Sequence, residues 1–504
     1  MTRKQYRPWS PEQTFLLPPS PRDWLPDDHL VHFVMEVVSE LDISEIERVL
    51  QSKDPRGERP WNPRMMTGLL IYGYCTGVRS SRRLERATYE DVAVRLLTGG
   101  CHPDHSVIAE FRRVHLKALS GLFLQVLRLC QKAGMVKLGR VALDGTKVKA
   151  NASRHKAMSY SRMLRAEEEL SDEVAAMLKE AEADDAAEDA AHGRERRGDE
   201  LPAELKRREG RLARIRQARE ALEKEAKEAR ERVLAEREAQ KVAGLPPEEE
   251  PPPAAGPPST AERVQDAGQP QQEELPEEET SSKYGVPADE EPPSPRSNLP
   301  SHQVKHTAAG LPQPDAQRNF TDPESRIMKA GKDFVQGWNA QAVVDEDHQI
   351  IVAAELTNQS ADAQHLPAML AVTEANCGAR PVQLLGDAGY YSAANVECCE
   401  ALGVDVLLSV RQEKHVLDGP TLVPSGASRA AMHAKLRTPL GRAAYARRKA
   451  IVEPVFGQLK AARGLRQFLL RGLEKVRGEW TLDCMCHNLL KLFRFGQRSA
   501  LARA

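Results

Sequence analysis

The spacing of apolar positions changes along the chain, and each change marks an element class. From about residue 27, apolar residues recur every three or four positions. "DDHLVHFVMEVVSELDISEIERVL" reads as helix after an acidic start. "NPRMMTGLLIYGYCTGVRSSRRLERAT" reads as a helix, a basic turn and another helix, and "HPDHSVIAEFRRVHLKALSGLFLQVLRLCQKAG" as further helices closed by Gly134. An all-helical region over 1–135 is predicted. At 138 the spacing drops to two: "LGRVALDGTKVKANAS" alternates as a strand does, with Asp144 at its centre, and opens a segment over 136–160. Residues 161–242 are rich in Ala, Glu and Arg and read as a long solvated helix or coiled-coil arm. Residues 243–317, with "GLPPEEEPPPAAGPPST" and "EELPEEETSS", bury too little apolar surface to fold and read as a disordered acidic linker.

Order returns near Asn319 and fills 318–495. "GKDFVQGWNAQAVVDEDHQIIVAAEL" reads as two strands about an "EDH" turn, and "SADAQHLPAMLAVTEANCG" as a helix capped by Ser360. "PVQLLGDAGYYS" is a buried strand ending at Asp387. A short helix, the strand "VDVLLSV", the helix "GRAAYARRKAIVEPVFGQLKAARGL" and the closing helix "GEWTLDCMCHNLLKLFRF" follow. Without the insertion the order is β(Asp144), β, β, α, β(Asp387), α, β, α(Glu453). Three strands form a meander, and the later strand–helix–strand unit requires a parallel crossover. The expected fold is α/β: a ribonuclease H-like mixed five-stranded sheet with helices, interrupted by a charged insertion.

Charge sharpens this picture. The net charge is −1, but residues 161–310 hold 23 basic and 36 acidic residues against 49 and 37 elsewhere. The chain outside the insertion is therefore basic, as nucleic-acid contact requires. No stretch is long and apolar enough for a membrane span, and "MTRKQYRPWSPEQ" lacks the apolar core of a signal peptide. The eight cysteines form no CxxC pair, which points to reduced thiols in a cytosol; Cys484, Cys486 and His487 fall in an apolar helical pattern and read as packing rather than zinc ligands.

Asp144 and Asp387 each stand at an apolar strand half next to glycine, where α/β sheets place functional groups. Glu453 lies on a helix among Arg447, Arg448, Lys449 and Lys460. Each acid has an ordinary reading, as a turn former or an i,i+4 ion pair. Together they suit two divalent ions acting on a phosphodiester. Asp322, Asp345, Asp362 and Asp405 rank below them, Asp362 because a carboxylate in a first helical turn favours the macrodipole. Arg326 is a further candidate phosphate contact, and Trp338, Tyr390 and Tyr391 are candidates for base stacking.

"ALDGTKVKANAS", "NFTDPESRIMK", "FVQGWNAQAVVD", "LLGDAGYYS" and "YARRKAIVEPVFGQLK" resemble successive blocks of bacterial insertion-sequence DDE transposases. They are closest to the IS eleven-eighty-two-like branch with a Tyr–Arg–Glu–Lys signature. "PWNPRMMTGLLIYGYCTGVRSSRRLE" and "PDHSVIAEFRRVH" are similar to its N-terminal helical domain. The resemblance implies Asp144, Asp387 and Glu453 as catalytic metal ligands for two Mg²⁺ ions, with Mn²⁺ able to substitute. It implies DNA cleavage and strand transfer at terminal inverted repeats and target DNA, by a homodimer or larger oligomer associated with a bacterial nucleoid. Tyr445, Arg448, Lys449, Lys460 and Arg326 are the implied DNA contacts. Glu453 and Lys460 keep the family's spacing; the arginine's role falls to Arg448 or Lys449. The rival readings are a catalytically inactive, repurposed DNA-binding protein and a coiled-coil scaffold.

Overall fold

The computed structural model describes residues 20–52, 59–192, 203–242, 299–331, 333–410 and 426–501. Helices α1 (Leu30–Glu40), α2 (Ser44–Gln51), α3 (Pro63–Thr76), α4 (Ser81–Glu90), α5 (Val92–Thr98), α6 (His105–Val114) and α7 (Leu116–Lys132) form the N-terminal region. The Asn62 side chain caps α3 by accepting from the Arg64 and Met65 amides; Pro63 starts the helix, and Gly77 ends it at φ 80°. Met66 to Cys75 are buried on every side of α3, as suits a helix apolar all round.

The main sheet contains β1 (Arg140–Lys149), β4 (Arg326–Ala330), β5 (Asp333–Asp345), β6 (Ile351–Thr357), β7 (Gln383–Gly386) and β8 (Asp405–Leu408). Strand β5 pairs antiparallel with β1, with Val141 opposite Asp345, and with β4 and β6 along its other edge. Strand β7 runs parallel to β1, and β8 parallel to β7. The sheet is thus mixed and has six strands; the added one is "RIMKA" of β4, too short to stand out by pattern. Strands β2 (Ala157–Ser159) and β3 (Gln317–Asn319) form a separate pair. Helices α10 (Leu366–Cys377), α11 (Ala393–Ala401), α12 (Ala427–Arg437), α13 (Pro439–Gly457) and α14 (Leu473–Leu501) complete the fold. Helix α10 begins at Leu366, beyond the expected Ser360 cap.

One hydrophobic core runs from Val31 and Leu69 through Val141 and Val343 to Trp480 and Leu489, so the N-terminal helices share it with the sheet and α14. Cys484 and Cys486 are packed on α14. The Cys486 thiol donates to the Ile71 carbonyl, and His487 Nε2 bonds the Gln349 carbonyl at 2.9 Å, so both serve packing. Trp338 and Tyr390 are wholly buried, which removes them as base-stacking platforms, while Tyr391 is half-buried under Arg429.

The arm is two helices, α8 (Tyr160–His192) and α9 (Ala203–Val242). Pairs Tyr160–Glu223, Glu167–Arg219 and Glu173–Arg208 run in opposite senses along them, so the hairpin is antiparallel. Met163, Leu170, Val174, Leu212 and Ile215 make its seam. Residues 243–298 of the expected linker lie outside the described residues. Residues 299–316 do not behave as linker. Leu299 and Val304 are buried, and Val304 packs on Leu222 and Ala226 of the arm. The Pro300 carbonyl accepts from Thr357. Two buried apolar side chains in a polar sequence anchor the segment, Leu299 on the main core and Val304 on the arm.

Candidate active site

Strands β1 and β7 place the first two acids. Their parallel register pairs Ala142 with Leu385. Asp144 stands two residues beyond that pair within β1 and Asp387 two residues beyond it, just past β7, and the two carboxylates interact electrostatically. Asp387 directly follows β7 and caps the turn Ala388–Tyr390, Oδ1 accepting from the Gly389 amide at 2.8 Å. Asp144 Oδ1 accepts from the Gly145 amide at 2.8 Å, and Oδ2 from Arg448 Nη1 at 3.1 Å. A Cβ on Gly145 would collide with the Gln341 side chain, so glycine is required there by close approach. Burial pushes the Asp144 carboxyl up to about 6; Arg448 opposes this, while Asp387 and Asp362 add to it.

Helix α13 carries the cations. Ile451, Val452 and Val455 are buried, and packing against β1, β5 and β7 fixes its rotation. Tyr445 and Arg448 fall on the inward side. The Arg448 side chain is 12% exposed, and it interacts electrostatically with Asp144, Tyr445, Asp387 and Glu453. Burial raises the Tyr445 phenol, with Arg448, Ser409 and Asp387 around it. Lys449 points outward, exposed, and forms no ion pair among the described residues, so the choice between the two cations falls on Arg448 as the one at the acids. Pro454 interrupts the helix ladder, and Gln458–Ala462 continue as a π-turn. That turn brings Lys460 Nζ to the Lys147 carbonyl at 3.1 Å, and burial lowers the pKa of the lysine.

Glu453 lies on α13 and is exposed. Its carboxylate does not converge with those of Asp144 and Asp387 to within 4.8 Å; among the described residues the trio that does so is Glu85, Asp104 and His105 between α4 and α6. Arg326 is not presented to solvent: its guanidinium bonds Glu225 of the arm at 3.2 Å and the Pro323 and Ser325 carbonyls. Lys147 and Asp362 also stand at the site. Lys147 Nζ donates to Asp362 Oδ1 at 3.2 Å and to the Ser360 carbonyl at 3.0 Å. Asp362 had been ranked low as a helix-start acid.

Asp387 Oδ2 accepts no hydrogen bond from the described residues, and Asp144 Oδ2 meets only a guanidinium. Hard carboxylate oxygens on neighbouring strands, one of them unbonded and one carboxyl with its pKa raised by burial and by like charges, fit a divalent cation of the Mg²⁺ or Mn²⁺ type.

The sheet thus bears two aspartates beside a helix that carries Arg448. Against known families, residues 302–489 match the transposase DDE domain, and residues 19–114 match a transposase domain (DUF772). These matches support a DDE transposase of the insertion-sequence kind, an enzyme acting on DNA. No curated protein and no solved structure matches the chain. No helix among the described residues is long and apolar enough to cross a membrane.

Proposed function

We propose that this chain cuts and rejoins DNA at the ends of an insertion sequence of the IS eleven-eighty-two-like branch. The observation that carries the reading is Asp144 within β1 and Asp387 just past the end of neighbouring β7, with Arg448 bonded to Asp144 and Lys460 bonded to the Lys147 carbonyl of β1. The strand order, a three-strand meander continued by two parallel strands, supports a ribonuclease H-like core with β4 as an addition. In this reading Asp144, Asp387 and Glu453 hold two divalent ions. When bound, such ions activate a water or 3′-hydroxyl and stabilise the leaving oxygen of an in-line displacement.

The chain's own residues supply the rest. Arg448 and Lys460 grip the phosphates flanking the scissile bond, Arg448 by leaving Asp144 for the more strongly charged partner. Tyr445 holds the guanidinium from behind. Arg82 and Arg83 stand exposed on α4 and give the N-terminal region a phosphate-contacting face for end binding. The working species is a homodimer or larger oligomer on terminal and target DNA.

The test uses duplex DNA carrying the element's own terminal repeats. Asp144→Asn, Asp387→Asn and Glu453→Gln should each abolish Mg²⁺-dependent strand cleavage and leave end binding largely intact. Wild-type cleavage by any one of them removes that residue from the triad. End binding without cleavage by the unmutated protein would leave a DNA-binding protein without catalysis.

A further inference from the structure

Asp362 is the N-cap of the 3-10 turn Ala363–His365 that leads into α10, yet its side chain makes no cap hydrogen bond. It is turned instead toward the sheet. Its Oδ1 accepts from Asn339 Nδ2 at 2.7 Å, Gln341 Nε2 at 2.9 Å and Lys147 Nζ at 3.2 Å. Gln341 also donates to Asn339 Oδ1 and accepts from the Tyr390 hydroxyl, and Asn339 donates to the Gln359 carbonyl. Asn339, Gln341 and Tyr390 are wholly buried. Both amide groups use both of their N–H donors, so their orientation is fixed by the network. Burying this many polar groups is unfavourable unless each is satisfied, and apolar side chains would fill the space with less desolvation. Here the network converges on one oxygen of one carboxylate.

The other oxygen is left over. Asp362 Oδ2 accepts nothing from the described residues and faces Gly389, 3.5 Å from where a Cβ on that glycine would stand; Asp387 Oδ1 is 3.0 Å from the same point. The two oxygens are therefore at most 6.5 Å apart, the sum of those two distances, across a residue without a side chain. Asp362 and Asp387 both act on Asp144 through space.

We infer that Asp362 is a fourth carboxylate of the active site: its Oδ1 is anchored by Asn339, Gln341 and Lys147, and its Oδ2 is an oxygen donor, direct or through a metal-bound water, to the divalent cation held by Asp387. The inference rests on the proposed metal-dependent reading. It explains why a helix-start acid is withdrawn from its cap. It also gives Lys147 a role, that of holding the anchored oxygen so the free one keeps its direction.

The test is Mn²⁺ binding to the full-length protein without DNA, followed by calorimetry or Mn²⁺ paramagnetic resonance, with Mg²⁺ competition. Asp362→Asn keeps an oxygen able to accept from Asn339, Gln341 and Lys147 while removing the charge. It should leave the melting temperature within a few degrees of wild type and weaken Mn²⁺ binding by about 10- to 100-fold, the range for groups one step from a metal ligand. Its Mg²⁺ requirement for cleavage should rise in parallel, and excess Mg²⁺ should partly restore the rate. Unchanged Mn²⁺ affinity with a lowered melting temperature would make Asp362 a purely structural anchor and overturn the inference. Asp387→Asn is the reference. If it abolishes Mn²⁺ binding and Asp362→Asn does not affect it, only this inference falls; if neither affects it, the metal-dependent reading falls as well.

Discussion

Arg79 and Arg448 each reach carboxylates inside the same fold, and the two clusters they build differ in how far solvent reaches them and in what they join. Arg79, in the turn between α3 and α4, donates through Nη2 to Glu479 Oε1 at 2.6 Å and Asp483 Oδ2 at 2.9 Å on α14. Glu479 also accepts from the Leu469 and Leu470 amides. The carboxylates of this cluster are fully buried, and burial pushes Asp483 up to about 6. Around Arg448, Asp387 keeps an oxygen that accepts nothing from the described residues, the side chains are 12% and 19% exposed for the Arg448–Asp144 pair, and Glu453 and Lys449 stand in solvent. The first cluster ties the N-terminal helices to α14. The second holds Asp144 near other acids at the expense of its own ionisation, a cost that a bound cation would offset. Both clusters leave buried atoms without a hydrogen bond among the described residues, Arg79 Nε and Asp483 Oδ1 in the first and Arg448 Nε in the second, so what separates them is access: only the second opens to solvent, where a cation or phosphate can reach it.

The sharpest way to break this comparison is Arg79→Met. It removes the guanidinium that bonds both buried carboxylates, leaving only the more distant Arg463 near Asp483, and should lower the unfolding free energy at neutral pH by about 3–5 kcal/mol. Urea denaturation measures it, and a loss below about 1 kcal/mol would place Arg79 among weak surface pairs.

Asp144→Asn tests the other cluster through pH. The folded-state pKa of Asp144, about 6, lies above its unfolded value, so between about 4 and 6 the native state binds more protons than the unfolded one. Stability from this group is present at low pH and is lost as pH rises through 6. The asparagine variant lacks that loss. Its stability relative to wild type should therefore grow by up to about 3 kcal/mol from pH 4 to pH 7.5 in chelator, at about 1.4 kcal/mol per pKa unit. A constant difference across that window would show that Asp144 carries no electrostatic burden.

Lys460→Ala and Arg448→Ala should each weaken end binding and reduce the salt slope of binding by about one phosphate contact. Cleavage should fall with them, because a displaced phosphodiester is out of line. Equal salt slopes in wild type and both variants would return α13 to an ordinary charged helix. The smallest effect belongs to Lys449→Ala: without an ion partner it should change stability by less than about 0.5 kcal/mol and leave the salt slope unchanged. A slope change as large as that of Arg448→Ala would transfer the arginine's role to Lys449.

Periodicity alone determined the helical N-terminus, the arm, the strand carrying Asp144 and the strand ending at Asp387, because burial of one face imposes spacing on the chain itself. The same spacing put Tyr445, Arg448, Glu453 and Lys460 on one helix. It did not say which of Arg448 and Lys449 turns inward, since neighbours on a helix point about 100° apart and only packing of Ile451, Val452 and Val455 on the sheet sets the rotation. Tertiary structure also decided Arg326, whose partner Glu225 is 101 residues away in sequence, and Leu299 and Val304, ordered by contacts their own segment does not contain. Asp362 shows the limit most plainly. Its local sequence offers a helix cap, and what withdraws it is a trio of donors from β1 and β5 that only the folded sheet brings to one oxygen.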